Sequence, residues 1–563
     1  MTKTKPSYKV LIDLTAPKTH RARITIESAA ENIPGLLQFP VWTPGSYLVR
    51  EYSRHITRLD PADKIAKNRW QLRGTPSKVT YEVYAFERTV RTSFVDENYI
   101  TLVGATLLPL LHAPFEVEIR LPKHWQMLSS ALKFRKRGPG RWTALVNDDD
   151  QWIDCPIVAA APGFGKTSSF RCKGITHHIA WVGLNCEREM KDFESAFRKI
   201  AETTIDFFGG APFKEYWFLL HFGHKIYGGL EHRDSQLSQF DGGVLGDKKK
   251  WEDFLRLIAH EYLHAWNVKS LRPFALGPFN YEAENYTQDI WFAEGLTDYF
   301  DDMLVWKAGL IDDKAYWTER LQDSNELPDG NPGHLRRSIA ESSFDAWIRY
   351  YRPDEDSVNT DVSYYSKGAT LGWCWDAYLT KRSKGKWTLA KLMRAYWKEF
   401  GIDAYEPLKH AKPGYTRDDL YRFAEEKTKI PHRALLENWI TGRRPLPWKE
   451  AAKTFGLKIS PKTKDAFLHF TGMQLQFKPG ATAQKVLSGS AAEAGGLAPN
   501  DEILAVEGIR VSDSEKFNLA LAKRFTRGGS VKLLVCRLDK ILEKIIRPRS
   551  HAETGIEYVL EKF

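Results

Sequence analysis

The chain of 563 residues is too long for one hydrophobic core and implies roughly three or four domains. With 42% hydrophobic and 27% charged residues it has an ordinary globular composition, which excludes a disordered chain. The net charge, 82 − 71 = +11, comes from Lys and Arg interleaved with acids. That is a solvated surface, not the concentrated basic face that nucleic acid or a membrane surface needs.

No stretch is long and apolar enough to span a bilayer. The five cysteines, Cys155, Cys172, Cys186, Cys374 and Cys536, are scattered and odd in number, which fits neither a disulfide framework nor a Cys-based zinc site. The N-terminal Met1 to Pro6 lacks the apolar core of a signal peptide, so the expected compartment is the reducing cytoplasm.

Residues 1–168 read as strands and turns. Tyr8 to Leu14 and Arg21 to Glu27 alternate apolar and polar residues, the period of a half-buried strand, and Pro- and Gly-rich breaks such as Pro40 to Tyr47 separate such segments. An all-β sandwich is expected there. Residues 169–447 are mixed: strand-like Tyr216 to Phe222, a Gly-rich turn, then helices, the first with Asp247 as its cap. Pro445 and Pro447 mark a linker. Residues 448–563 return to short strands with Gly turns, and Gly489 to Leu497 followed by Asn500 to Leu504, Glu507-Gly508 and Val511 resembles a PDZ domain.

The chemistry is concentrated in His260-Glu261-Tyr262-Leu263-His264. Residues four apart on a helix share a face, so both imidazoles can bind one metal ion while Glu261 holds its water. An HExxH string arises by chance in a chain with 16 His, but the apolar Phe254, Leu257 and Ile258 predict that this helix is buried. A catalytic zinc site takes a third protein ligand and keeps one position open. Glu294, in Trp291 to Phe300, supplies that ligand, and Asp298 one turn later is placed to fix a ligand histidine's tautomer.

Tyr227-Gly228-Gly229-Leu230-Glu231-His232 precedes the metal helix. Gly228 and Gly229 let a peptide approach the backbone, and Glu231 can pair with a free amino group. Tyr364-Tyr365-Ser366-Lys367-Gly368 offers a tyrosine hydroxyl to a developing oxyanion; the residues alone leave Tyr364 and Tyr365 as alternatives.

These strings resemble the gluzincin aminopeptidases of the aminopeptidase N type, and the whole layout resembles the PDZ-containing glycyl aminopeptidase family. The resemblance implies an all-β N-terminal sandwich, an α/β plus helical thermolysin-like catalytic domain and a C-terminal PDZ domain. It implies one Zn2+ ion on His260, His264 and Glu294, with Glu261 as general base, Tyr365 as oxyanion donor and Glu231 binding the substrate amine. It also implies peptide substrates with a free N-terminus and a small first residue, Gly or Ala. His232 stands where the aminopeptidase N pattern has Asn.

Gly472-Met473-Gln474-Leu475 is the candidate loop for a peptide C-terminus at the PDZ domain, and a packing role for that domain is favoured. The alternatives are a zinc endopeptidase with the same site, or a PDZ-guided binding scaffold with vestigial catalysis.

Overall fold

The computed structural model describes residues 6–28, 33–183, 186–325, 332–401, 414–477, 480–513, 529–550 and 554–561. Met1 to Lys5 of the segment read as lacking a signal-peptide core lie outside them. The chain forms two compact units: Met1–Tyr286, Phe300–Ile311 and Met393–Thr416 in one, Thr287–Tyr299, Asp312–Leu392 and Arg417–Phe563 in the other. No helix among the described residues is long and apolar enough to cross a membrane.

In the first unit the N-terminal domain is the expected β-rich sandwich. Tyr8–Asp13 pairs antiparallel with Arg21–Ser28 and parallel with Phe115–Arg120, at the centre of a seven-stranded sheet. Alternation does the work predicted of it: Val10, Ile12, Ile24, Ile26, Val117 and Ile119 all point into one core. A four-stranded sheet of Met127–Ser130, Ile157–Ala160, Tyr99–Leu102 and Phe94–Val95 closes that core with Ile100, Leu102, Ile157 and Ala159.

A mixed sheet follows, with strands β1 (Gly165–Cys172), β2 (Ile175–Gly183), β3 (Glu215–Phe222), β4 (Gly228–Glu231) and β5 (Ser235–Phe240) in the order β1-β2-β3-β5-β4. β2, β3 and β5 run parallel, and β4 is an antiparallel edge strand. Val158 and Ala160 of the N-terminal domain share a core with Ala180, Val182, Leu219, Leu230 and Leu237 of this sheet. Each buried Val or Leu contributes roughly 1.5–3 kcal/mol, so the two sheets are joined by a continuous core and not a hinge.

Helix α1 (Met190–Phe208) starts with a Glu189/Asp192 capping box and ends at Gly209. Helix α2 (Lys248–Leu263) carries the metal motif, and the Asp247 carboxylate caps it by accepting from the Lys250 N–H at 2.9 Å. Every residue from Phe254 to Leu263 is buried. A chain of polar contacts braces α2 from the sheet: the Tyr262 hydroxyl lies 2.9 Å from His177 Nε2 of β2.

In the second unit, the turn of π-helix Trp291–Gly295 leads into helix α3 (Leu296–Lys307), whose last residues belong to the first unit. Helix α4 (Ser366–Arg382) is buried along most of its length, and its Asp376 accepts from the Tyr299 hydroxyl at 2.7 Å.

The PDZ domain is a sheet in the order Met473–Phe477, Ala481–Val486, Glu502–Val506, Val531–Arg537, Lys540–Ile546, around Met473, Ile503, Leu533, Val535 and Ile546. Two amides at its candidate carboxylate loop are already used: Gly472 N–H donates to Leu468 O at 2.8 Å and Met473 N–H to Thr471 Oγ1 at 3.1 Å. The domain is instead gripped by Asn359, whose buried amide donates to Val486 O at 2.9 Å and accepts from Ser488 N–H at 2.8 Å.

Burial lowers His177 to a pKa of about 4 and His221, held between Tyr99 and Gln239, to about 3. Both imidazoles are therefore neutral in the folded chain, whereas the unfolded chain takes up protons below about pH 6.5. Their stabilising contribution is complete above about pH 6.5 and is lost as pH falls toward 4. The thermal midpoint should be flat from pH 8 to 6.5 and fall steeply below, with a shallower fall in His221→Gln; a wild-type midpoint unchanged down to pH 4 contradicts this.

Candidate metal centre and substrate site

The two histidines of α2 are oriented by different partners. His260 Nδ1 lies 2.9 Å from the Asp301 carboxylate, and His264 Nδ1 lies 2.7 Å from the main-chain oxygen of Asn267. Both partners can only accept, so each Nδ1 carries the proton and each Nε2 a lone pair. The two Nε2 atoms face each other at 3.1 Å. Neutral imidazoles cannot share that separation without a proton or a cation. Zinc–nitrogen bonds of 2.0–2.1 Å at a tetrahedral angle put two ligand nitrogens about 3.3 Å apart, so the pair is preset for such an ion.

Asp301 was not visible as a site residue in the sequence. It lies three residues beyond Asp298, the carboxylate expected to orient a histidine, and 41 residues beyond His260. The main-chain oxygen of Asp298 accepts from the Arg320 guanidinium at 3.2 Å. The next residue, Asp302, forms a 2.7 Å ion pair with Arg256 of α2, so two adjacent carboxylates on α3 hold the metal helix.

Glu261 is buried beside the edge strand. A Cβ at Gly229 would lie 1.9 Å from the Glu261 carboxylate, so a side chain there would push that carboxylate aside. Glu231 ends the same strand, 3% exposed, with Oε1 lacking a hydrogen-bond partner. Glu231, Glu261 and His264 each bring one ligand atom within 4.8 Å of the others.

The strand end beyond Glu231 is fixed by Asp154 of the N-terminal domain. Asp154 accepts from Arg233 N–H at 2.8 Å and from Lys269 Nζ at 3.0 Å, and lies 3.3 Å from His232 Nδ1. Burial alone would raise its pKa, but Lys269, His232 and Arg233 together hold it well below the usual carboxylate range. The His at 232 thus serves as a pin beside Glu231.

In the second unit Glu294 is buried in the π-helical turn Trp291–Gly295, a distortion that recurs at functional sites. Gly295 and Gly368 let this turn touch the start of α4: a Cβ at Gly295 would lie 2.4 Å from Gly368 Cα. That contact sets Tyr365 in the field of Glu294. Burial first, and Glu294 next, raise the Tyr365 hydroxyl well above its ordinary pKa, so it stays a proton donor. Tyr364 is fully buried and Tyr365 partly exposed, and both rings lie against Tyr350, at 4.5 and 5.3 Å.

Comparison with known proteins agrees with this layout. The profile of the M61 glycyl aminopeptidases matches residues 253–371, that of the M61 N-terminal domain residues 9–161, and that of PDZ domains residues 449–536. The crystal structure of an aminopeptidase N family protein from Idiomarina loihiensis is 27% identical, with a TM-score of 0.89 over 99% of this chain and 98% of that one. An M1 zinc metallopeptidase from Deinococcus radiodurans is 13% identical, with a TM-score of 0.46 over 78% of this chain and 94% of that one, too distant a likeness to add to the case. No curated protein sequence matches the chain. With the N-terminal, catalytic and PDZ modules present in that order, the chain belongs to the M61 glycyl aminopeptidase family and is a zinc metallopeptidase.

Proposed function

We propose that the protein is an aminopeptidase that removes a small first residue, Gly or Ala, from peptides with a free N-terminus. The observation that carries this reading is Glu231: a buried carboxylate with an unpartnered oxygen, at the end of an edge strand and within 4.8 Å of Glu261. A carboxylate so close to the general base binds a terminal ammonium and leaves room for one residue before the cleaved bond. A cavity lies at Glu231, lined by Trp42, Gly45 and Tyr47, and the preference for Gly or Ala is the one the family resemblance implies.

In this reading one zinc ion is held by His260, His264 and Glu294. Two neutral imidazoles and a carboxylate are the donor set of catalytic zinc, and Glu294 lies seven residues before Asp301 along one run of helix. The zinc, when bound, supplies Lewis acidity to the scissile carbonyl and to a water. Glu261 takes the proton of that water on its carboxylate and delivers it to the departing amine. Tyr365 O–H donates to the carbonyl oxygen as it gains charge. Glu231 accepts from the substrate ammonium, and the outer edge of β4 aligns the substrate backbone by strand pairing.

Gly228 and Gly229 keep that edge open to the peptide. Asp298 acts behind the metal ligands. The domain limits belong to the same reading, with divisions after residues 168 and 447; the first strand of the mixed sheet begins at Gly165. The PDZ domain packs on the helices of its own unit, and the five free thiols suit a reducing, cytoplasmic setting.

Glu261→Gln should retain the metal and lose about 10²–10⁴-fold in kcat, the usual worth of a general base; retained activity contradicts its role. Tyr365→Phe should lose about 10²–10³-fold in kcat with KM little changed, as for one oxyanion donor, and an equal loss in Tyr364→Phe contradicts the assignment to Tyr365. The test of the function itself compares an alanyl peptide with its N-acetylated twin, with and without a chelator. Chelator-sensitive release of the first residue from the free-amine peptide alone is expected. Internal cleavage of both would establish an endopeptidase, and cleavage of neither a binding scaffold.

A further inference from the structure

The wall opposite Glu231 is built by the N-terminal domain. The segment Pro40–Tyr47 forms a buried turn in which Ser46 N–H donates to Thr43 O at 3.1 Å. Arg50 locks that turn from outside: its Nε and Nη2 donate to Ser46 Oγ at 3.0 and 2.8 Å. On its other side Val41 N–H donates to Tyr281 O at 2.8 Å, and Trp42 Nε1 donates to Asn280 O at 2.7 Å. Trp42, Gly45, Tyr47, Asp154, Glu231 and Tyr281 all line the one cavity of about 60 Å³.

At the tip of the turn Gly45 has φ +87°, and a Cβ built there would lie 2.3 Å from Glu231 Oε2 and 2.7 Å from Oε1. Among the described glycines, no other has the Glu231 carboxylate among the atoms nearest to such a Cβ. The turn is tied to Asn280 and Tyr281 before Gly45 and to Arg50 after it, so the loop resists moving aside for a side chain at 45. It would displace the Glu231 carboxylate or fill the space before it.

We propose that Gly45 and Asp154, both from the N-terminal domain, are positioning and specificity residues for the peptide's first residue. Gly45 leaves the space in which the substrate ammonium reaches Glu231. Asp154 holds the strand end, through Arg233 N–H and His232, so that the carboxylate faces that space. The N-terminal domain is therefore part of the amine-recognition site and not only a scaffold beside it. This rests on the reading of Glu231 as the amine acceptor.

The experiment is a double-mutant cycle on the full chain, with metal content and thermal midpoint measured alongside kinetics on an alanyl anilide. Inhibition by glycinamide serves as a binding readout that needs no turnover. Gly45→Ala is expected to lower kcat/KM by tenfold or more and to weaken glycinamide by a similar factor, at unchanged metal content. In a Glu231→Ala background the same substitution is expected to cost less than twofold, because the group it acts through is gone.

Gly45 occupies left-handed backbone, so Asp154→Asn, which leaves the loop untouched, gives a second cycle with an expected loss of threefold to tenfold that also vanishes in Glu231→Ala. Equal losses in both backgrounds, or no loss in either variant, would overturn the proposal while leaving Glu231 in its role. A Glu231→Ala enzyme that binds glycinamide as tightly as wild type would instead remove the amine reading itself, and this inference with it.

Discussion

Two neutral imidazoles with facing Nε2 lone pairs 3.1 Å apart repel each other unless a cation or a proton lies between them. The fold holds them there because both Nδ1 protons are committed, one to Asp301 and one to the Asn267 carbonyl. That commitment explains other features around it. Arg256 and Asp302 repeat the tie between α2 and α3 one residue further on, as a buried pair whose loss would leave an uncompensated charge. His177 and Tyr262 brace the opposite side of α2 from the sheet.

The parts of the site that were legible in the sequence are those written within one element. The i, i+4 spacing of His260 and His264 specifies a shared helix face before any tertiary contact is known. Gly228 and Gly229 mark a close backbone approach, which the Glu261 side chain then fills at Gly229. The β alternation of Val10, Ile12, Ile24 and Ile26 likewise specifies which face is core. What was not legible lies between elements. Asp301 reads as one more acid on an amphipathic helix, Asp154 belongs to another domain, and Gly45 sits in a turn whose only sequence signal is its Pro and Gly content. The π-helical turn at Glu294 has no periodic signature, and the Gly295–Gly368 contact beside it joins two segments far apart in the sequence.

The flanking domains bear on the candidate site by different means. The N-terminal domain shares a hydrophobic core with the mixed sheet and carries Asp154 to the end of β4. The PDZ domain is gripped by the side chain of Asn359, six residues before Tyr365, on a segment further held by the Arg349 contact to Thr360 Oγ1 at 2.7 Å. Two amides of its candidate carboxylate loop, Gly472 and Met473, are spent internally, and its Val486 and Ser488 main chain is bound by Asn359.

The central claim is that the preset imidazole pair holds zinc, and X-ray absorption on the zinc-loaded chain tests it most directly. The account predicts one zinc per chain, only nitrogen and oxygen neighbours at about 2.0–2.1 Å, and an outer-shell pattern of two imidazoles. A sulfur neighbour, a shell of oxygen alone, or a spectrum unchanged in His260→Ala would contradict it.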